Sequence, residues 1–384
     1  MNFRPIAYII FFFLLFGSCI FPFDPPSEDY ENLLVVEAFL TDAEEIFEVR
    51  LSRSIPINTQ QIIPEENALI SLSDNTGSFY DLYEESPGRY LATPDFQGQV
   101  GRFYQLHIQT SEGRQYVSDT VYMRMTPPID SVFYRYEERV VVDSEYNVPG
   151  LQVYVSTHDV NNNTWYYRWE YSETWEFRTK YNSDQIWDDG MILEREEQIN
   201  LCWKYDASSG ILISSSRNLN EDMISEFPVV YVSNSTDKLN SKYSILVKQY
   251  ALSEESYNYW REMEKVTENL GTLFDPQPSS IRGNIYNVND ENDLVLGYFD
   301  AASMREERIF IKRGEFKYFG VPDYYDNCTD TIVGYFLVPE MILRGFTFVG
   351  EVPNPAGGVL YQLSSEYCID CRLAGTNIKP DFWE

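Results

Sequence analysis

Alternating apolar and polar positions run through the first third of the chain and predict a series of short β-strands. Residues 47–55, 68–72 and 103–110 each alternate with a period of two, and turn sequences such as DNTG at 74–77 separate them. Strands that recur every ~8–12 residues are typical of an immunoglobulin-like β-sandwich. We therefore expect a first β-domain over residues 31–126.

Two consecutive prolines after residue 126 mark the predicted domain boundary. Pro127 and Pro128 end the preceding strand and stiffen the connection, because proline has no amide donor and a fixed φ. Strand patterns resume at residue 131 and continue towards the end of the chain. The sequence predicts a second, larger strand-rich domain over residues 127–384.

The clearest strand of the second domain, residues 165–177, carries six aromatic residues at alternate positions. A sheet face buried in a core is the favoured interpretation, because burial produces regular alternation. A stacking platform for sugars is the alternative, with three tryptophans as candidate ligand-stacking residues. These are Trp165, Trp169 and Trp175.

Helical spacing is strongest near residues 253–270. Ser253 is a suitable N-cap, and Glu254 and Glu255 suit the positive end of the helix dipole. Apolar residues recur there at intervals of three to four positions. The predicted fold is therefore mainly β: an N-terminal immunoglobulin-like β-sandwich followed by a larger strand-rich domain with one inserted α-helix.

The N-terminal stretch predicts export and lipid attachment. Residues 9–16 are apolar but too short to span a bilayer, and Gly17-Ser18-Cys19 follows at the position of a bacterial lipobox. We expect residues 1–18 to be a lipoprotein signal peptide, Cys19 to carry the lipid, and residues 19–30 to form a tether. An ordinary secretory signal is the alternative.

The charge of the chain limits its partners. The chain has 60 acidic and 29 basic residues and a formal net charge of −31. A phosphate backbone would be repelled, so nucleic acid is not expected as a partner. Anionic lipid head groups would be repelled as well, so membrane attachment would depend on the lipid on Cys19.

Four cysteines remain besides Cys19, an even number that predicts two disulfides in an exported protein. Three pairings are open. A four-thiolate zinc site is the alternative, since two of the cysteines are separated by two residues, the spacing of metal ligands. The candidates are Cys202, Cys328, Cys368 and Cys371.

Histidine offers little for catalysis, because the chain has only two, and we expect both on the surface. His107 lies on the polar side of a strand, and His158 lies beside a turn. Asp159 and Glu170 have the spacing of a calcium loop, but Thr164 stands where that loop requires glycine, so a hairpin turn is favoured.

No complete catalytic motif is present in the sequence. The Ser235 to Lys238 segment matches Ser-x-x-Lys, but its companion motifs are missing. We therefore expect a protein that is not an enzyme and needs no cofactor. A hydrolase that uses two carboxylates is a less favoured alternative.

Several short stretches together resemble the domain-of-unknown-function family 4249. They are Cys19, LVVEA at 34–38, PPIDS at 127–131, CWK at 202–204, GNIY at 283–286, GYF at 297–299, CIDCR at 368–372 and KPDFW at 379–383. The resemblance implies an outer-membrane lipoprotein of Bacteroidota, of a family often encoded beside TonB-dependent receptors. It implies no catalytic residue.

The expected function is that of an accessory binding component. The protein would be anchored in the outer membrane through Cys19, facing the periplasm or the cell surface, and would serve a TonB-dependent transport system with the β-barrel receptor as its partner. A stand-alone surface lipoprotein that binds glycans is the second hypothesis.

Overall fold

The computed structural model describes residues 32–55, 62–140, 147–188, 190–268, 281–315 and 325–384. Strands make up 51% of the structure and helices 11%, which confirms the mainly β fold with a sandwich-like arrangement. The predicted signal peptide, the predicted lipidation site Cys19 and the predicted tether lie outside the described residues.

Twenty-four strands and two α-helices are present in the described residues. The strands of the N-terminal third are β1 (Leu34–Leu40), β2 (Glu48–Arg53), β3 (Ile63–Pro64), β4 (Leu69–Asp74), β5 (Phe79–Ser86), β6 (Arg89–Leu91), β7 (Phe103–Gln109), β8 (Gln115–Ser118) and β9 (Val121–Tyr122). The strands that follow are β10 (Ile129–Val140), β11 (Asn147–His158), β12 (Tyr166–Arg178), β13 (Gln185–Asp188), β14 (Met191–Glu194), β15 (Leu201–Ala207), β16 (Leu212–Ser215), β17 (Met223–Ser233) and β18 (Lys242–Ala251). The remaining elements are α1 (Glu254–Glu268), β19 (Ile285–Asn287), β20 (Val295–Ala301), β21 (Met304–Lys312), β22 (Asp330–Val333), α2 (Val338–Leu343), β23 (Phe346–Pro353) and β24 (Val359–Ser365).

The first unit is an 11-stranded sheet in the order β19-β8-β7-β4-β5-β6-β2-β1-β20, with β3 on β2 and β9 on β7. The strands at the two ends of the sheet, β19 and β20, contact each other. This contact shows that the sheet folds over on itself. It encloses one apolar core. In β1 the core side chains alternate with more exposed ones, as the period-two pattern predicts; they are Leu34, Val36, Ala38 and Leu40.

Two strands of the first unit come from a distant part of the chain. β20 pairs with β1 in parallel, and β19 pairs with β8. The structure thus corrects the prediction of a continuous second domain over residues 127–384. A parallel neighbour needs a long crossover connection, here the central part of the chain, and the pattern of a strand does not reveal its partner.

The central unit consists of two sheets packed face to face. One has the order β10-β11-β17, and the other has the order β15-β12-β18-β21 with β16 paired to β12. Apolar residues from both sheets form a shared core. This unit begins at β10, directly after the two prolines, where the sequence places the domain boundary.

Helix α1 confirms the predicted helix near residues 253–270. The amide of Ser256 donates a hydrogen bond of 3.1 Å to the Ser253 hydroxyl, so Ser253 caps the helix as expected. Glu254 and Glu255 occupy the first turn. The predicted end near residue 270 lies outside the described residues.

A small C-terminal unit contains the sheet β22-β24-β23. The β13–β14 hairpin contacts β23, and the six-residue helix α2 packs against the same strand. The six residues of α2 are too few to show helical periodicity, so the sequence pattern does not predict this helix.

Candidate functional site

The four candidate cysteines form two disulfides, as predicted. Cys202 bonds to Cys371, and Cys328 bonds to Cys368; the Cα atoms are 5.7 Å apart in each pair. All four sulfurs are used in these bonds, which leaves no thiolate to bind zinc. The two cysteines of the Cys-x-x-Cys motif therefore have different partners.

The bond between Cys202 and Cys371 attaches the C-terminal segment to the central unit. Backbone hydrogen bonds between Trp203 and Thr376 continue the attachment. The buried ring of Trp383 packs edge-on against Phe310 of β21 at 5.5 Å between centroids. The C-terminus is therefore tied to the central sheet and not frayed.

Two of the three candidate stacking tryptophans are buried in the central core. Trp169 is 1% exposed and Trp175 is 6% exposed. The Trp169 indole donates a hydrogen bond of 2.9 Å to Gln249, and its ring stacks on Phe227. Neither ring offers a free face, so Trp169 and Trp175 are not a stacking platform.

The third candidate, Trp165, does not share the face of the strand. It precedes β12 and has a φ of +62°, which turns the chain before the alternation begins at Tyr166. Its ring is half-buried, and the guanidinium of Arg217 lies 5.5 Å from its centroid. The three tryptophans therefore form no common surface.

The two histidines lie far apart in the fold and have separate partners. His107 Nε2 lies 2.9 Å from the Ser73 hydroxyl, and burial lowers the pKa of His107. His158 Nδ1 lies 2.7 Å from the Asp130 carboxylate, and this hydrogen bond raises the pKa of His158. Both are half-buried, where the sequence predicts exposed positions.

The calcium-like spacing belongs to a turn, as the favoured interpretation predicts. The Asp159 carboxylate accepts hydrogen bonds from the amides of Asn161 and Asn163, at 2.9 and 3.0 Å. These bonds are made within the turn itself. Within the described ranges, no group of three histidine, cysteine, aspartate or glutamate residues is arranged to hold a metal ion.

A mostly apolar connection, residues 332–345, runs from the end of β22 through α2 towards β23; we call it the apolar loop. Phe336 is 93% exposed and Leu343 is 89% exposed, and three further side chains are exposed beside them. These are Ile332, Tyr335 and Leu337. Large contiguous patches of exposed apolar groups are typical of surfaces that contact other molecules.

Specific contacts hold the base of this loop. The Tyr335 hydroxyl donates a hydrogen bond of 2.8 Å to the Gly190 carbonyl, and the Tyr335 ring meets the Trp187 ring edge-on at 5.2 Å. Val338, at the start of α2, is fully buried. The loop is therefore anchored to the β13–β14 hairpin while Phe336 and Leu343 point to solvent.

The loop is electrically neutral although the whole chain is strongly acidic. It contains one acidic and one basic residue, Glu340 and Arg344, which pair at 2.6 Å one helical turn apart. Met191, beside Gly190 in the hairpin, is also exposed and extends the apolar surface. We call the apolar loop and Met191 together the C-terminal apolar surface. This surface was not predicted from the sequence, because a run of apolar residues does not reveal whether its side chains are buried or exposed.

Comparison with known proteins identifies the family of the chain. No curated protein matches it, and within the part of the chain that the structure describes no helix has the length and apolar character needed to cross a membrane. A family model described as a domain of unknown function, DUF4249, matches residues 20–308. The match includes the first unit with its returning strands and most of the central unit, and it ends before the apolar loop at residues 332–345. The chain therefore belongs to the DUF4249 family.

Proposed function

We propose that the protein is an outer-membrane lipoprotein that acts as a non-catalytic accessory component of a TonB-dependent transport system. The lipid on Cys19 would hold it at the membrane, and the C-terminal apolar surface would bind the β-barrel receptor. The observation that carries this proposal is the anchored apolar loop, in which Phe336 is 93% exposed.

The chemistry of the loop favours a protein partner over a charged surface. A few large side chains that enter an apolar pocket supply most of the binding free energy in many protein interfaces. Phe336 and Leu343 have the required size and exposure, and the pairing of Glu340 with Arg344 leaves the loop without net charge. The −31 charge of the whole chain opposes direct adsorption to anionic lipid.

A lipid anchor would strengthen a weak contact of this kind. Attachment to the same membrane converts the encounter with a barrel into a search in two dimensions, which raises the effective concentration. A small interface is then sufficient for a lasting complex. The glycan-binding hypothesis has lost its supporting feature, because Trp169 and Trp175 are buried.

The test is co-purification from gently solubilised membranes by means of a C-terminal tag on a flexible linker. We expect the native protein to retain a stoichiometric β-barrel and the double variant Phe336→Ser/Leu343→Ser to lose it. The control is Leu69→Ser, which removes an apolar side chain that is 70% exposed from the first unit. Recovery of the protein alone, or equal retention of the barrel by the double variant, would refute the proposal.

A further inference from the structure

The buried carboxylate of Asp300 lies where the first and central units meet. Asp300 is 5% exposed and belongs to β20, on the face opposite the core residue Phe299. Its Oδ1 accepts a hydrogen bond of 2.8 Å from the Ala301 amide, whereas its Oδ2 has no hydrogen-bond partner among the described residues. Helix α1 covers this face of β20, with the Tyr259 ring on the Tyr298 ring at 4.9 Å.

Four buried polar atoms at this junction lack hydrogen-bond partners in the described part of the protein. Ser256 and Trp260 are one helical turn apart on α1, so both face the same side. Buried polar atoms are normally paired, and each unpaired one costs about 1–3 kcal/mol. The four atoms are Asp300 Oδ2, Arg124 Nε, Ser256 Oγ and Trp260 Nε1.

Two arginines approach Asp300, but neither forms an ion pair with it in the described structure. The guanidinium of Arg168, on β12, lies 4.0 Å from the centroid of the Trp260 ring, and Arg168 pairs instead with Glu170. Arg124 lies beside β20 through its backbone bridge to Ala302. The carboxylate is thus attracted by positive charge without a direct hydrogen bond from either group.

The other elements packed against Asp300 bring few ionisable groups. β1 presents Phe39, the register partner of Asp300, and α1 presents the Ser256 hydroxyl. On β20 itself the nearest ionisable side chain is Tyr298, two residues earlier. Burial raises the pKa of Asp300 to about 6. The Ala301 amide, the two arginines and the Ser256 hydroxyl lower it; the Ser256 hydroxyl faces the carboxylate without reaching hydrogen-bond geometry.

Helix α1 also connects the two units along the chain. It follows β18 of the central unit, and the next described strand is β19 of the first unit. The Thr126 hydroxyl joins the units nearby, since it accepts a hydrogen bond of 2.9 Å from the Ala251 amide and donates one to the Ser303 carbonyl. A loosening of α1 from β20 would therefore change how firmly the two units are held together.

We propose that the contact between α1 and β20 is a proton-controlled joint, closed when Asp300 is protonated and loosened when Asp300 ionises. Protonation lets the neutral carboxyl remain in its buried position. Ionisation favours any arrangement in which water reaches Oδ2, and separation of α1 from β20 provides one. The joint requires no bound ligand and is independent of the C-terminal apolar surface.

Hydrogen exchange of the full chain tests the joint. If α1 opens to a state in which Asp300 has its ordinary pKa of 3.8, the opening equilibrium constant rises about tenfold between pH 5.0 and pH 7.5. We expect the protection of α1 amides to fall about tenfold over this range, after correction for the intrinsic exchange rate. The strands β4 and β7, remote from the joint, serve as the internal reference.

Two variants separate the joint from a general effect of pH. Asp300→Asn keeps the shape of the side chain but cannot ionise, so we expect α1 protection to be independent of pH. Asp81→Asn, an exposed carboxylate of the first unit, should behave as the native protein does. Constant α1 protection in the native protein would by itself overturn the proposal, as would an unchanged pH dependence in Asp300→Asn.

Discussion

Gly297 and Val36 are register partners in the parallel pair β20–β1, and only a glycine fits at this contact. Gly297 has a φ of +116°, and a Cβ atom added to it would lie 1.9 Å from the Val36 carbonyl oxygen. On the other side, a Cβ atom at Gly283 would lie 1.5 Å from the Gly297 carbonyl oxygen. The return of the chain to the first unit thus depends on two close backbone approaches.

Gly297→Ala should destabilise the protein by about 3 kcal/mol, the sum of backbone strain and overpacking. Gly113→Ala is the matched control: its φ is +85° but nothing lies within 4 Å of the added atom, so we expect a loss of about 1 kcal/mol. Urea unfolding measures both. Equal losses in the two variants would contradict a role for the close approach to Val36.

The two disulfides should differ in their contribution to stability. Cys202–Cys371 spans 169 residues and Cys328–Cys368 spans 40. The loss of chain entropy in the unfolded state predicts contributions of about 5 and about 4 kcal/mol respectively. Removing each pair by double alanine substitution and measuring the free energy of unfolding in urea checks the order, and a smaller loss for the longer loop would contradict it.

The ammonium of Lys238 should be essential for keeping the Glu173 carboxylate buried in the folded protein. Glu173, 2% exposed, interrupts the aromatic face of β12, and its carboxylate contacts the Lys238 ammonium at 2.5 Å and the Tyr243 hydroxyl at 2.6 Å. Lys238→Met would leave a buried carboxylate without its cation, at a cost of about 3–5 kcal/mol.

Lys265→Met is the control for this substitution. It breaks an exposed pair with Glu262 and should cost less than about 0.5 kcal/mol. Thermal or urea unfolding at pH 7 compares the two variants. If both variants lose the same small free energy of unfolding, the ion pair between Glu173 and Lys238 does not stabilise the buried carboxylate as we expect.

Asp300 should also make the global stability depend on pH. Its pKa in the folded state is about 6 and its ordinary value is 3.8, so the folded protein binds more protons than the unfolded chain between these values. The stability that Asp300 contributes is therefore complete below pH 4, where the carboxyl is protonated in both states. It decreases as the pH rises and is lost as the pH passes 6. The loss is about 2 kcal/mol between pH 4 and 7.5.

The measurement is the difference in unfolding free energy between the native protein and Asp300→Asn across that pH range. We expect the advantage of the native protein to shrink by about 2 kcal/mol as the pH rises. A difference that stays constant with pH would show that Asp300 has the same pKa in the folded and unfolded states.

Local features were predictable from the sequence because they depend on residues close together in the chain. The alternating apolar positions in the sequence of β12 correspond in the structure to buried side chains, among them Tyr167, Trp169 and Trp175. The cap at Ser253 needs only the next turn of helix, and the four cysteines other than Cys19 predicted two disulfides on the expectation of export. The charge of −31 and the lipobox-like Cys19 are likewise properties of the sequence alone.

Partners distant in the chain were decided only by the tertiary structure. The pattern of β20 is that of an ordinary strand, and nothing in it indicates a parallel partner more than 250 residues earlier. The pairing of Cys371 with Cys202, the unpaired Oδ2 of Asp300 and the exposure of Phe336 depend in the same way on which segments pack together. The sequence by itself determined the strands, the helix and the number of disulfides. Only the packing of distant segments determined which side chains are buried without partners and which are left exposed.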